Sequence, residues 1–244
     1  MITGRYAPSP SGRMHLGNLM CCLLAWLSAK SKGGQVLLRI EDLDTQRCPR
    51  AYADAIIDDL AWLGLAADGP EPPIYQSERS AIYQQYFDEL ARRGLVYPCF
   101  CSRSELHAAE APHASDGRII YAGTCRELTA AQRSAKMQHR RPAWRIKVDD
   151  ELIAFTDMHY GRQQANLAHE CGDFILRRSD GVYAYQLAVV IDDALMGVNQ
   201  VVRGCDLLSS TPVQLYLYRL LNLTPPSFCH IPLLTDAAGR RLSK

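Results

Sequence analysis

The first thirty residues constrain the fold more than any other part of the chain. Ile2-Thr3-Gly4-Arg5-Tyr6-Ala7 has the make-up of a short strand, Pro8-Ser9-Pro10-Ser11-Gly12 is a turn, and an apolar run from Leu16 to Ala29 follows. Strand, tight turn and helix in that order place backbone N–H groups and the positive end of a helix dipole at one point, which favours a phosphate. His15 stands at that point and can donate to phosphate oxygens. Judged alone, it reads as a structural histidine.

The rest of the chain supports an α/β layout. Gln35-Val36-Leu37-Leu38-Arg39-Ile40 predicts a buried strand ending in Glu41 and Asp42, where open α/β sheets place their ligands. A helix over 51–63 puts Ile56, Ile57, Leu60 and Leu63 on one face. A second, over 80–93, spaces Ile82, Tyr86 and Leu90 four apart and stops at Gly94. Phe174 to Arg178 and Val182 to Tyr185 predict a hairpin around Ser179-Asp180-Gly181. In Thr211-Pro212-Val213-Gln214 we expect an N-cap, a proline at the first helical position and a capping-box glutamine. The stretch from His107 to Gly117 reads as a flexible loop, and the basic stretch from Arg126 to Lys147 as either a solvated surface or an RNA contact.

A length of 244 residues suits one large domain, or one domain with a sizeable insertion. The apolar stretch from Leu19 to Leu27 is too short to span a bilayer and lacks the layout of a cleaved signal peptide, so no membrane role and a cytoplasmic location are expected. A net charge of +1 gives no argument for an RNA partner. Nine cysteines are spread along the chain without the pattern of a disulfide framework. Cys21, Cys22, Cys171, Cys205 and Cys229 sit in apolar or semi-apolar strings, where cysteine acts as a small hydrophobe. Tyr97-Pro98-Cys99-Phe100-Cys101, followed by Tyr121-Ala122-Gly123-Thr124-Cys125, is different. Two thiolates one residue apart can hold one ion, and a third can return to it after the glycine turn. Zinc takes four ligands and the cysteines here supply three, a set that His107 or His113 can complete.

The string from Gly4 to Asn18, with His15-Leu16-Gly17-Asn18 at its end, resembles the HIGH signature of class I aminoacyl-tRNA synthetases in the form used by the glutamyl group. Arg241-Leu242-Ser243-Lys244 resembles the KMSKS loop, and the intervening strings at 39–44, 172–193, 202–204 and 209–212 resemble the family in order. The resemblance thus spans essentially the whole chain. It implies a Rossmann-like parallel sheet interrupted by a zinc-bearing insert, with residues 1–95 and 173–244 forming the two catalytic halves and 96–172 the insert.

It also implies activation of glutamate by ATP, with Mg2+. His15 and Lys244 would be catalytic and, with Gly17 and Asn18, bind ATP. Arg5, Tyr6, Ala7, Pro8 and Ser9 would line the glutamate pocket with Glu41, Tyr185 and Arg203 around it. A guanidinium fork suits carboxylate recognition by Arg5 and Arg203, and Glu41 would take the ammonium group.

The Tyr-x-x-x-Cys half-site and the run from Arg177 to Tyr185 resemble the stand-alone glutamyl-queuosine branch of the family. That likeness implies one structural zinc on Cys99, Cys101, Tyr121 and Cys125. It further implies a monomer that makes glutamyl-adenylate without tRNA and passes glutamate to the queuosine base at the wobble position of tRNA(Asp). The alternatives are the catalytic half of an enzyme charging the 3' end of tRNA(Glu), and a catalytically silent RNA-binding paralogue. Arg241 departs from the usual first lysine of the loop, keeping its charge but not its geometry. The family continues into further helices where this sequence stops at Lys244, and a tail is expected.

Overall fold

In a computed structural model that describes residues 1–102, 105, 120–237, 239, 240 and 242, β1 (Thr3–Tyr6) pairs in parallel with β2 (Gln35–Ile40), Thr3 opposite Gln35 and Tyr6 opposite Leu38. Parallel neighbours need a crossover, and α1 (Leu16–Lys30) supplies it. The chain continues through α2 (Arg50–Trp62), β3 (Ile74–Tyr75), α3 (Ser80–Arg92), β4 (Val96–Cys99), α4 (Ala130–His139), β5 (Ala143–Ile146), β6 (Leu152–Asp157) and β7 (Gly161–Asn166). It ends with α5 (Leu167–Glu170), β8 (Ile175–Arg177), α6 (Tyr185–Leu195), β9 (Gln200–Gly204), α7 (Thr211–Leu220) and β10 (Ser227–Ile231).

Two sheets build the central layer, one ordered β1-β2-β3 and the other β7-β6-β10-β9. They meet at β1 and the start of β9. There the Asn199 N–H donates to the Thr3 carbonyl at 3.0 Å, and the Thr3 N–H donates to the Asn199 side chain at 2.9 Å. From this seam the chain winds one way through α1 to β2 and the other way through α7 to β10. A reversal of winding is where an open parallel sheet leaves a crevice at its strand ends.

The core follows from side-chain alternation along the strands. Val202 on β9 packs with Cys22, Ala25 and Ala29 of α1, Val36, Leu38 and Ile40 of β2, and Ile56 and Leu60 of α2. Val201, its neighbour, faces the opposite way, toward Leu187 and Val190 of α6, Val213 and Leu217 of α7, and Leu90 of α3. The sheet is therefore covered on both faces, as parallel strands require. A third sheet, β4-β5-β8, is antiparallel and lies beside the second core. Segment 96–172 contributes strands to two sheets: β4 and β5 pair with each other, and β6 touches β10 where Asp157 meets Phe228.

Several local expectations are modified. Leu63 lies past the end of α2 and is exposed, while Ala53 joins Ile56 and Leu60 in the core. On α3 the fully buried stripe is Tyr83, Phe87 and Leu90, with Ile82 and Tyr86 at its edge; the helix closes at Gly94, whose φ of 70° suits glycine. The expected hairpin around 179–181 is present but short: Arg177 bridges Tyr183, the Arg178 N–H donates to the Val182 carbonyl and the Ala184 N–H to the Leu176 carbonyl, both at 2.8 Å, and Tyr185 opens α6 instead of extending the second strand. Of the five cysteines read as small hydrophobes, Cys22 is buried and Cys21, Cys171, Cys205 and Cys229 are half-buried. His107 and His113 lie outside the described residues. Among the described residues no helix is long and apolar enough to cross a membrane.

Candidate functional site

The crevice at the β1–β9 seam is a cavity of about 670 Å³. Its lining includes Arg5, Tyr6, Ala7, Pro8, Ser9, His15, Gly17, Asn18, Glu41, Tyr185 and Arg203, together with Leu242 from the C-terminal loop. Every residue that the resemblance placed in the amino-acid and nucleotide sites is therefore in one cavity, except Lys244, which lies outside the described residues.

Local structure explains the nucleotide side. His15 is the N-cap of α1: its Nδ1 accepts the Gly17 N–H at 3.1 Å, and the Asn18 side chain accepts the His15 N–H at 3.3 Å. An accepting Nδ1 places the ring proton on Nε2, so the imidazole presents an N–H. No acidic residue occupies the first turn of α1, so the positive end of its dipole is not compensated from within the helix. Gly17 is required for this arrangement, since a Cβ there would sit 2.9 Å from His15 Cε1.

On the amino-acid side the charges are buried and interlocked. Arg39, wholly buried, donates to Asp193 at 2.6 Å and to Glu41 at 3.1 Å. Arg5 lies 3.4 Å from the same Asp193 oxygen. Asp192 is held separately by Arg79 at 2.7 Å, Gln76 at 2.8 Å and Tyr83 at 2.7 Å. Burial raises the pKa of Glu41, and Arg39 and Arg5 offset this only in part. Burial also acts to raise that of Asp193, but Arg39 and Arg5 outweigh it and hold the group below the usual range.

Arg203 differs from these arginines. It donates to His230 Nε2 at 2.9 Å, Gln214 Oε1 at 2.9 Å and Thr211 Oγ1 at 2.8 Å, and among the described residues it has no ion pair with a carboxylate. Burial pushes its pKa down. The spacing of Thr211 and Gln214 predicts a helix cap. In the structure α7 continues directly from a 3-10 turn at Cys205–Ser210, so its start needs no side-chain cap and both polar groups turn to Arg203. Pro212 does sit at the helix start as expected. Arg39, Asp193, Asp157 and His230 were not singled out from sequence; a charged residue inside an apolar strand or helix was the available signal.

The second constellation lies beside β4. The Sγ atoms of Cys99, Cys101 and Cys125 are within 4.8 Å of one another, with Cys101 and Cys125 3.6 Å apart. Tyr121 Oη lies 3.5 Å from Cys99 Sγ and 3.9 Å from Cys101 Sγ, and it accepts the Cys125 N–H at 2.8 Å. A tetrahedral ion with Zn–S about 2.3 Å and Zn–O about 2.0 Å sets S···S near ~3.8 Å and S···O near ~3.5 Å. The donor set fits such an ion. Burial and the neighbouring thiols push Cys101 up to about 12, a crowding that a bound cation would relieve.

Residues 1–244 match the family described as "tRNA synthetases class I (E and Q), catalytic domain". The chain is 54% identical to a glutamyl-Q tRNA(Asp) synthetase of Nitratidesulfovibrio vulgaris, an alignment covering 100% of this chain and 78% of that protein. It is 49% identical to the protein of the same name from Symbiobacterium thermophilum, with the same coverage. A glutamate tRNA ligase from Elizabethkingia meningosepticum, solved in complex with its amino acid, superposes with a TM-score of 0.85 at 30% identity over 99% of this chain. This chain spans about half of that ligase (51%). Crevice, helix start and full-length similarity agree, and the chain belongs to the class I (E and Q) tRNA synthetase catalytic-domain family, with the glutamyl-Q tRNA(Asp) synthetases among its relatives.

Proposed function

We propose that this protein activates L-glutamate with ATP in the absence of tRNA, and then passes the glutamate to the queuosine base at the wobble position of tRNA(Asp), acting as a cytoplasmic monomer. The observation that carries the first step is the charge balance of the cavity wall. Arg5, Arg39 and Arg203 face two carboxylates, Glu41 and Asp193, while Arg79 and Asp192 pair with each other. Among the described residues, Arg203 alone of these four guanidinium groups has no ion pair with a carboxylate, and its charge faces the cavity. Glutamate, with two carboxylates and one ammonium, brings a net charge of −1 that neutralises it; glutamine brings none. The second step is supported by the names of the relatives.

In this reading Arg203 and Arg5 take the side-chain carboxylate and Glu41 the ammonium group. An α-carboxylate oxygen then attacks the α-phosphorus of ATP. The bond from that phosphorus to the bridging oxygen breaks, and pyrophosphate leaves. His15 Nε2–H, the start of α1 and Lys244 stabilise the charge that develops on the phosphate oxygens, and Mg2+ accompanies the nucleotide. Gly17→Ala tests the nucleotide side: it forces the imidazole off the helix start, and the expected result is an ATP KM raised about tenfold with the glutamate KM little changed. An unchanged ATP KM would remove His15 from the phosphate site.

Cys99, Cys101, Cys125 and Tyr121 would hold one structural zinc, tying β4 to the turn at 121–125. Metal analysis should find one zinc per chain. Cys125→Ser should lose it and lower the Tm by about 5–10 °C. Stoichiometric zinc in that variant would show the ligand set to be wrong.

Glutamate-dependent ATP–pyrophosphate exchange by the full-length protein, run with and without tRNA, tests the whole reading. Exchange without RNA is expected. Exchange only with tRNA would point to charging of tRNA(Glu), and silence in both to a binding protein.

A further inference from the structure

Among the described residues Arg203 is gripped only by neutral atoms, and the one that takes its Nε–H belongs to a histidine with no exposed surface. That histidine is itself held from behind. His230 Nδ1 lies 2.6 Å from Asp157 Oδ2, and Asp157, equally buried, also accepts the backbone N–H groups of His230, His159 and Tyr160 at 3.1, 3.0 and 2.9 Å. We propose that Asp157 and His230 are positioning residues for Arg203: the carboxylate fixes the imidazole tautomer, and the imidazole fixes the guanidinium at the cavity wall. The inference rests on the reading of Arg203 as a ligand of the substrate carboxylate.

The physical case is one of proton inventory. An ionised carboxylate only accepts, so Nδ1 must donate to Asp157, and a neutral ring then leaves its lone pair on Nε2. That lone pair faces Arg203 Nε at 2.9 Å. The opposite tautomer would set N–H against N–H. Burial favours the neutral ring, with the Asp157 bond opposing it in part. A carboxylate placed directly on Arg203 Nε would also orient it, but would cancel the charge that the substrate has to meet. Inserting an imidazole transmits orientation while the negative charge stays one ring away on β6. Gln214 and Thr211 complete the grip at Nη1 and Nη2, again without charge.

The test is steady-state exchange kinetics on His230→Phe, Asp157→Asn and His230→Gln, with Arg203→Ala in parallel and thermal melts for each. Phenylalanine keeps the ring volume but offers no acceptor. Asparagine at 157 can donate to Nδ1 and so favours the wrong tautomer. Both should raise the glutamate KM about tenfold or more, with kcat and the ATP KM within about twofold. Glutamine at 230 carries an acceptor within reach of Arg203 and should return the glutamate KM to within about threefold of wild type. Wild-type glutamate KM in folded Asp157→Asn and His230→Phe, beside loss of activity in Arg203→Ala, would overturn the positioning role alone. Raised KM without rescue by His230→Gln would overturn it in favour of a packing role. Wild-type KM in Arg203→Ala would overturn the assignment of Arg203 and this inference with it. Asp157→Asn, nearly unchanged in shape, carries the test where His230→Phe does not fold.

Discussion

Arg203→Ala is expected to lower kcat/KM for glutamate in ATP–pyrophosphate exchange by about 10³-fold, while the protein remains folded. The size follows from burial: a charge-assisted contact to a carboxylate is lost in a site where water does not replace it cheaply. The tolerance of the fold follows from the partners. His230, Gln214 and Thr211 are neutral, so removing the guanidinium strands no buried charge, and the space opens onto the cavity. A Tm within about 3 °C of wild type should accompany the loss of activity. Wild-type exchange in this variant would remove Arg203 from the glutamate pocket.

Arg39→Met should behave in the opposite way, with stability falling first. Arg39 has the same chemistry, comes from a similarly apolar strand and is wholly buried, but its partners are the carboxylates of Asp193, Glu41 and, at 3.9 Å, Asp192. Methionine fills the volume and, among the described residues, leaves Glu41 without an ion pair and Asp193 with Arg5 alone. Breaking a buried pair from one side costs about 3–5 kcal/mol, or a Tm lower by on the order of 10 °C. Chemical denaturation would measure it, and a loss below about 0.5 kcal/mol would contradict the argument.

The pH dependence of Arg39→Met has a definite sign. In the wild type Asp193 is held below its ordinary pKa, so its contribution is present above the unfolded value and is lost as pH falls through the folded one. Without Arg39 the pKa of Glu41, already above its ordinary value, rises further, and Asp193 loses the larger of the two cations that hold its pKa down. The penalty in the variant is then largest at neutral pH and eases on acidification.

Elements whose signals lie within a few residues were legible in the sequence. The opening strand, turn and helix, the strand at 35–40 and the stop at Gly94 each depend on neighbours along the chain, and the structure has them there. The cysteine spacing is similar: Cys99, Cys101 and Cys125 converge, with Tyr121 beside them. Legibility failed where one residue had two possible partners. Thr211 and Gln214 have the spacing of a helix cap, but a preceding 3-10 turn removed the need for one and an arginine from the adjacent strand claimed both. Tyr185 reads as a strand residue, but the segment paired with β8 ends at Ala184, which is the N-cap of α6, and Tyr185 opens the helix.

Sequence by itself determined the order of strand, turn and helix, the residues that line the cavity, and the thiols that converge beside β4. Only the tertiary structure decided which charges meet. Arg39 finds Asp193 across 154 positions, whereas Arg203 finds neutral atoms of α7 and β10. Local propensity acts over one or two turns of chain, but the pairing of buried charges depends on which strand ends lie side by side, and that adjacency exists only once the two halves of the sheet have closed at Thr3 and Asn199.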